Sequence, residues 1–235
     1  MKNIIILLII IALAGSLLAN EEYIAKVYNI DTSPSTFLYY HYSDQKNLDD
    51  QEILYHYYLL PDSSEAVVEE AIIENGELKK YTANFFISNE QSMLELKNRK
   101  LTVTYTKDGK TKSKTLDFDD TLLVGPLFVK HLVANWNNLI AGETVKFRLP
   151  AADMLTTAGF YLKKINNSEF QKPGTVVIKM GVSSIFLKLL IKPSYFVMDT
   201  DTRRVKEIHG LSILPHKKDG EWKKTTNVEI YFEWE

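Results

Sequence analysis

Residues 101–118 run Leu101-Thr102-Val103-Thr104-Tyr105-Thr106, then Lys107-Asp108-Gly109-Lys110, then Thr111-Lys112-Ser113-Lys114-Thr115-Leu116-Asp117-Phe118. The first arm alternates with period two, so Leu101, Val103 and Tyr105 share one face of a strand and the three threonines the other. Asp108-Gly109 accepts the positive φ angles of a tight turn. An antiparallel hairpin with one wet face follows.

The same signature recurs on both sides of this hairpin. Upstream, Ala66 to Glu74 and Glu77 to Ile87 flank Asn75-Gly76, a second turn pair. Before them come Tyr23 to Ile30, Thr36 to Tyr42 after Ser33-Pro34, and Glu52 to Leu60 after a polar loop at Ser43 to Gln51. Downstream the period changes. From Pro126 to Ala141, Leu127, Phe128, Leu132, Trp136, Leu139 and Ile140 recur at three- and four-residue spacing, with Pro126 suited to the first turn and Gly142 to the end of a helix. Strands resume at Thr144 to Leu149, Gly159 to Ile165 and Thr175 to Met180. They close with Tyr195 to Asp199, Val205 to Leu214 and Asn227 to Trp234. Ser184 to Ile191 suits a short buried helix or a strand equally, and Pro193 stops either. The pattern predicts a mainly β protein: a large curved antiparallel sheet or half-barrel meander with one central amphipathic helix. Residues 21–235 form a single β-rich domain, or two β layers divided near the helix at 126–141.

Residues 1–20 read as a cleavable secretory signal, with Lys2 before an uncharged run and Ala19 near its end. That run falls short of the ~20 apolar residues that span a bilayer, so no transmembrane span is expected after cleavage. The expected location is periplasmic or secreted. The net charge is −2 and becomes one unit more negative without Lys2, which leaves no electrostatic footprint for nucleic acid. Cysteine is absent, which removes disulfides, thiol nucleophiles and a lipid-bearing Cys together. No cofactor or metal is expected.

Three groups of residues bear on function. Asp117-Phe118-Asp119-Asp120-Thr121-Leu122-Leu123 resembles the nucleophile motif of haloacid dehalogenase-like phosphatases, a resemblance that implies Asp117 as nucleophile, Asp119 as acid/base and a divalent metal. That family places its motif after a buried parallel strand, whereas Lys110 to Leu116 is the polar arm of a hairpin, so a loop and helix-cap role is the stronger reading. The five histidines include no close-spaced metal pair, although His41 and His56 lie on adjacent strands and can face each other. Tyr39, Tyr40 and Tyr42 on one strand and Tyr55, Tyr57 and Tyr58 on the next send rings to both faces of their hairpin. Tyr40, Tyr42, Tyr55 and Tyr57 are the candidate ligand-binding residues, for an apolar cavity or for stacking on sugar rings. Ordinary core packing is the competing account.

The run Val124-Gly125-Pro126, then Asn135-Trp136-Asn137-Asn138-Leu139, Ala141-Gly142-Glu143-Thr144 and the segment Tyr195 to Gly210 resemble the exported β-rich proteins of Gram-negative bacteria. The resemblance implies a long meander, a central helix and closing strands, and no known activity. At the level of fold it is similar to periplasmic half-barrels that carry lipids or lipoproteins. The functional expectation is an exported, non-enzymatic periplasmic protein that binds an apolar or envelope-derived ligand, with a lipid as a possible occupant. A metal-dependent phosphatase using Asp117 and Asp119, or a structural or interaction module with an envelope protein partner, are the alternatives.

Overall fold

The computed structural model describes residues 23–184, 191–212, 214–218, 221–223 and 226–234. The signal segment and most of Ser184 to Ile191 lie outside the described residues. The first half of the chain is a run of strands: β1 (Tyr23–Asn29), β2 (Thr36–Leu48), β3 (Gln51–Leu59), β4 (Glu65–Glu74), β5 (Glu77–Phe85), β6 (Glu90–Lys97), β7 (Lys100–Lys107) and β8 (Lys110–Asp117). A 3₁₀ turn (Gly125–Leu127) leads into α1 (Phe128–Ala134) and α2 (Trp136–Ile140). Then follow β9 (Thr144–Ala151), β10 (Thr156–Ile165), β11 (Thr175–Val182), β12 (Ser194–Asp199), β13 (Val205–Ser212), the short hairpin β14 (His216–Lys218) and β15 (Glu221–Lys223), and β16 (Thr226–Trp234).

Fourteen strands form one sheet in the order β8-β7-β6-β5-β4-β3-β2-β1-β16-β13-β12-β11-β10-β9. All its neighbours are antiparallel, so the meander of the sequence is realised as a continuous curved sheet that does not close. Register shifts at Val27/Tyr28, Tyr58/Leu59, Ile72/Ile73 and Val197/Met198 add local bends to it. Both edges come from the middle of the chain. The segment after β8 runs back along β9, where the Leu123 amide donates to the Arg148 carbonyl at 2.8 Å and the Arg148 amide to the Thr121 carbonyl at 2.9 Å. The Lys112 ammonium reaches the Asp153 carbonyl from the other edge.

The quoted hairpin folds as its alternation requires. Leu101, Val103 and Tyr105 are buried, while Thr102, Thr104 and Thr106 pair their hydroxyls with Thr115, Ser113 and Thr111 across the wet face. Asp108 and Gly109 take φ values of 49° and 76°, as Asn75 and Gly76 take 52° and 78°. Three expectations need correction. The polar stretch Ser43 to Gln51 is not a loop, because β2 runs to Leu48 and pairs residue by residue with β3 up to Leu48 opposite Gln51. Strand β6 escaped the pattern, since its polar residues dilute the alternation and its turn, Asn98-Arg99, adopts positive φ at both positions without a glycine. The amphipathic helix is interrupted at Asn135, whose side-chain amide donates to the His131 carbonyl at 2.9 Å and whose backbone leaves helical geometry there.

Helices α1 and α2 pack on one face of the sheet, called the inner face. Leu132, Trp136 and Leu139 meet Phe147, Leu162, Ile178, Phe196 and Met198 there. A second cluster joins Leu54, Ala71, Tyr81, Leu94, Leu101 and Val103 to Leu122, Val124 and Ala152. The 119–127 segment and the helices therefore fill the inner face between the two edges. Lys130 on α1 ties them to β3 through an ion pair with Glu52.

Candidate functional site

The four tyrosines singled out in the sequence share one face of the sheet, opposite the helices. Register makes this unavoidable: Tyr42 faces Tyr57 across β2 and β3, Asp44 faces Tyr55, and Tyr40 faces Leu59. Beyond them, Ile24 pairs with Tyr42 on β1, and Val68 and Glu70 pair with Tyr57 and Tyr55 on β4. The rings are half-exposed. Tyr42 and Tyr57 stack at 4.8 Å with planes 16° apart, and Tyr57 stacks on Tyr55 at 5.8 Å and 22°. Tyr40 meets Phe37 edge-on at 4.8 Å, Phe37 meets Tyr28 at 5.5 Å, and Tyr28 meets Tyr231 at 6.0 Å. An aromatic band thus crosses four strands from β3 to β16. Tyr42, Tyr55 and Tyr57 turn ring faces to one another, which takes up faces that stacking on sugar rings requires.

The phenols of Tyr42, Tyr55 and Tyr57 are held above the usual value, first by partial burial and then by carboxylates, Glu65 and Asp44 for Tyr42, Glu70 for Tyr55, and Asp44 for Tyr57. They remain neutral donors. The Lys46 ammonium lies 5.1 Å above the Tyr55 ring, a cation–π contact on the same face.

The alternate residues of the same hairpin build a buried polar network on the inner face. His41 and His56 do face each other, with ring centroids 4.8 Å apart at 80°. His41 stacks on Tyr58 at 4.3 Å, and its Nε2 lies 3.4 Å from the Tyr23 hydroxyl. Glu69 on β4 is register partner of His56, with Oε2 3.4 Å from Nδ1, and its Oε1 accepts a 2.5 Å hydrogen bond from the Tyr81 hydroxyl. Burial first, and the neighbouring His56 second, push the His41 imidazole well below its ordinary value, so it is neutral. Tyr58 and Tyr81 are raised by burial and by Glu69.

Sequence reading missed Glu69, Tyr81 and Gly125 as members of this network. A usable signal was present: Glu69-Glu70 within a strand sends one carboxylate inward, and an inward carboxylate needs partners. Which strand supplies them is a matter of register. Gly125 rests on the Glu69 carboxylate so closely that a Cβ there would lie 2.4 Å from Oε2. Gly125→Ala is expected to displace Glu69 from Tyr81 and His56 and to cost about 2 kcal/mol, the price of a strained buried charge-assisted bond. Chemical denaturation reads this out, and unchanged stability would mean that Glu69 swings clear without loss.

The acidic string carries none of the context that its resemblance implies. Asp117 ends an exposed antiparallel strand and is paired with Lys100, which lowers its carboxyl below the usual range. Asp119 accepts from the Thr121 hydroxyl at 2.6 Å and amide at 2.9 Å, which lowers it likewise. The strand that ends at Asp117 pairs antiparallel with β7, whereas the phosphatase motif needs a parallel strand to aim its nucleophile. The helix-cap reading also needs correction: Asp119 closes its own turn, and the helix is entered through the Gly125–Leu127 turn without a side-chain cap. Among the described residues no group of three or more His, Asp or Glu side chains is placed to hold a metal ion. No helix among them is long and apolar enough to cross a membrane.

No protein-family model and no curated protein matches the chain. Two solved structures are similar in outline. One is a β-barrel-like protein of a domain of unknown function from Brucella abortus, 8% identical, with 91% of this chain and 97% of that chain covered and a TM-score of 0.43. The other is a putative outer membrane lipoprotein-sorting protein domain from Vibrio parahaemolyticus, 7% identical, with coverages of 95% and 90% and a TM-score of 0.29.

Proposed function

We propose that this chain is an exported, non-enzymatic protein of a bacterial envelope that binds an apolar or envelope-derived ligand across the outer face of its sheet. The observation that carries the reading is the half-exposed band in which Tyr40, Tyr42, Tyr55 and Tyr57 are joined by Phe37, Tyr28 and the 46%-exposed Ile24. A contiguous band of aromatic rings left in contact with water supports a binding role for this face. The inner face, by contrast, is taken up by the helices and the segment before them, so the cavity form of the sequence expectation has less support than the surface form.

Native mass spectrometry of protein purified from its own envelope tests the proposal. A co-purifying lipid or other envelope component is the expected result, lost on Tyr42→Ser with Tyr57→Ser. No co-purifying species, together with no thermal shift on adding lipids or glycans, would sink it. A role as an interaction module draws on the same band, because half-exposed tyrosine rings suit a protein partner. Crosslinking to a partner through this face, with no small ligand retained, would favour that reading.

A further inference from the structure

The outer face is open to water along the tyrosine band but not at its far end. Beyond Tyr231 the segment between β10 and β11, residues 166–174, crosses it as a strap. The strap leaves β10 at Ile165, the register partner of Val177, and re-enters the sheet at Thr175. Val177 and Val197 pair with each other and face outward with Glu207, away from the helices, yet both are fully buried. The strap itself is exposed at most of its positions, with positive φ near its ends at Asn167 (57°) and Gly174 (68°). Two side chains pin it. Phe170 lies flat on His209 at 4.1 Å with planes 12° apart and against Tyr195 at 5.1 Å, and the Lys172 ammonium pairs with Glu207.

His209 beneath Phe170 is buried, and both of its ring nitrogens face carboxylates. Nε2 lies 3.0 Å from Glu207 Oε2 on its own strand, and Nδ1 lies 3.4 Å from Glu229 Oε1 on β16 without a hydrogen bond. The other oxygen of each carboxylate is already taken, Glu207 Oε1 by Lys172 and Glu229 Oε2 by the Tyr231 hydroxyl at 2.7 Å. Around the ring, Tyr195 on β12 and Tyr231 on β16 are the further titratable neighbours, and Asp199, farther along β12, is paired with Lys206. A neutral imidazole has one N–H and one lone pair, so it serves only one of two acceptor-only groups. The imidazolium serves both, and it balances Glu229 as Lys172 balances Glu207.

We propose that His209 is a proton latch for the strap: with both ring nitrogens protonated it bridges Glu207 and Glu229 and holds Phe170 by a cation–π contact, and on losing one proton it lets the strap lift. Lifting bares Val177, Val197 and Tyr195 beside Tyr231, where the aromatic band ends, and so lengthens the open face. The latch does not depend on what that face binds. It holds in acid and opens as the pH rises. In this it opposes His41, whose buried site rejects a proton, so the strap and the fold as a whole respond to acid in opposite directions.

Hydrogen exchange of the folded chain tests this at the Phe170, Gln171 and Lys172 amides, which donate to Ser168 Oγ, the Ser168 carbonyl and Thr175 Oγ1. Corrected for intrinsic exchange, they are expected to exchange about tenfold faster at about pH 8 than at about pH 5.5, the scale of one charge-assisted hydrogen bond. Imidazole nitrogen chemical shifts of the same protein should show both His209 nitrogens protonated at the lower pH and one at the higher, with the midpoint of the exchange change. His209→Gln is expected to exchange fast at both pH values. Glu229→Gln leaves the buried ring in place and changes a partly exposed side chain, and it should shrink the pH effect to about two- to threefold. Strap exchange that does not change with pH, or that changes as much in His209→Gln as in the parent, would overturn the latch. So would a His209 that keeps a single ring proton throughout the range.

Discussion

Acidification from about pH 7 to about pH 5 is expected to lower the unfolding free energy by about 2 kcal/mol, with His41 as the main titrating group. The folded protein holds this imidazole well below its ordinary value of 6.5, through burial and the neighbouring His56. A group whose folded value is depressed binds its proton in the unfolded chain first. Its contribution is complete above 6.5 and is lost as the pH falls below it, at up to about 1.4 kcal/mol per pH unit for one site. His131 on α1 is lowered by burial in the same sense and adds to the slope. The depressed carboxylates do not confuse the window: Asp31, Asp199 and Glu207 lose their stabilising ionisation only as the pH falls through the ordinary carboxylate range. Urea denaturation at the two pH values measures the loss. His41→Phe keeps a ring on Tyr58 and removes the proton site, so the variant should show a flatter pH dependence. An unchanged slope would exclude His41 as its source.

A second large effect is expected at Gly210 on β13. A Cβ at this position would lie 2.7 Å from the Ser194 Cα on β12 and 2.6 Å from its Cβ, so the obstacle includes backbone and not merely the end of a flexible side chain. The two strands must separate to admit a methyl group, in the middle of a continuous sheet where β12 and β13 pair through Tyr195 and His209. Gly210→Ala is expected to cost about 3 kcal/mol, the upper end of ordinary overpacking, and Gly210→Val more. Ser194→Gly removes the Cβ and Oγ while leaving the Cα, so the double variant should recover part of the loss. Denaturant unfolding of the three proteins settles the matter, and a Gly210→Ala variant as stable as the parent would refute the steric account.

The two substitutions differ in an instructive way. At Gly125 the added atom meets a carboxylate whose own hydrogen bonds are at stake, whereas at Gly210 it meets a strand that cannot move alone. Gly125 precedes Pro126 at a turn, but nothing in that local sequence shows that its missing Cβ makes room for Glu69, and Gly210 lies within a strand. Their importance follows from what lies across from them, which is set by pairings between distant residues.

The candidate site shows the same division between local and distant information. Alternation along Thr36 to Tyr42 and Glu52 to Leu60 was enough to say that tyrosines occupy both faces of a hairpin, because a strand's side chains alternate whatever its partners are. It did not say which face meets the helices. That depended on β1 and β16, some two hundred residues apart in sequence, pairing Tyr23 with Trp234 and Ala25 with Phe232. Once that pairing exists, Tyr39, His41, His56 and Tyr58 go inward with the core, and Tyr40, Tyr42, Tyr55 and Tyr57 are left in contact with water. The same pairing decides that Glu69 enters the buried network and Glu70 the tyrosine face.

By itself the sequence determined the strand-rich meander, its Asn-Gly and Asp-Gly turns, the period change at the central helix and the poor fit of the acidic string to a phosphatase. These are properties of short windows, where backbone sterics and side-chain alternation act between near neighbours. Only the tertiary structure decided that the sheet has fourteen strands and stays open, that the segment after β8 runs back along β9, and that Asp44, Tyr55 and Glu70 stand in one row. Register between strands is fixed by burying one face as a whole, and shifting any strand by one residue would exchange its two faces. That cooperative choice belongs to the assembled sheet and to no single segment of the chain.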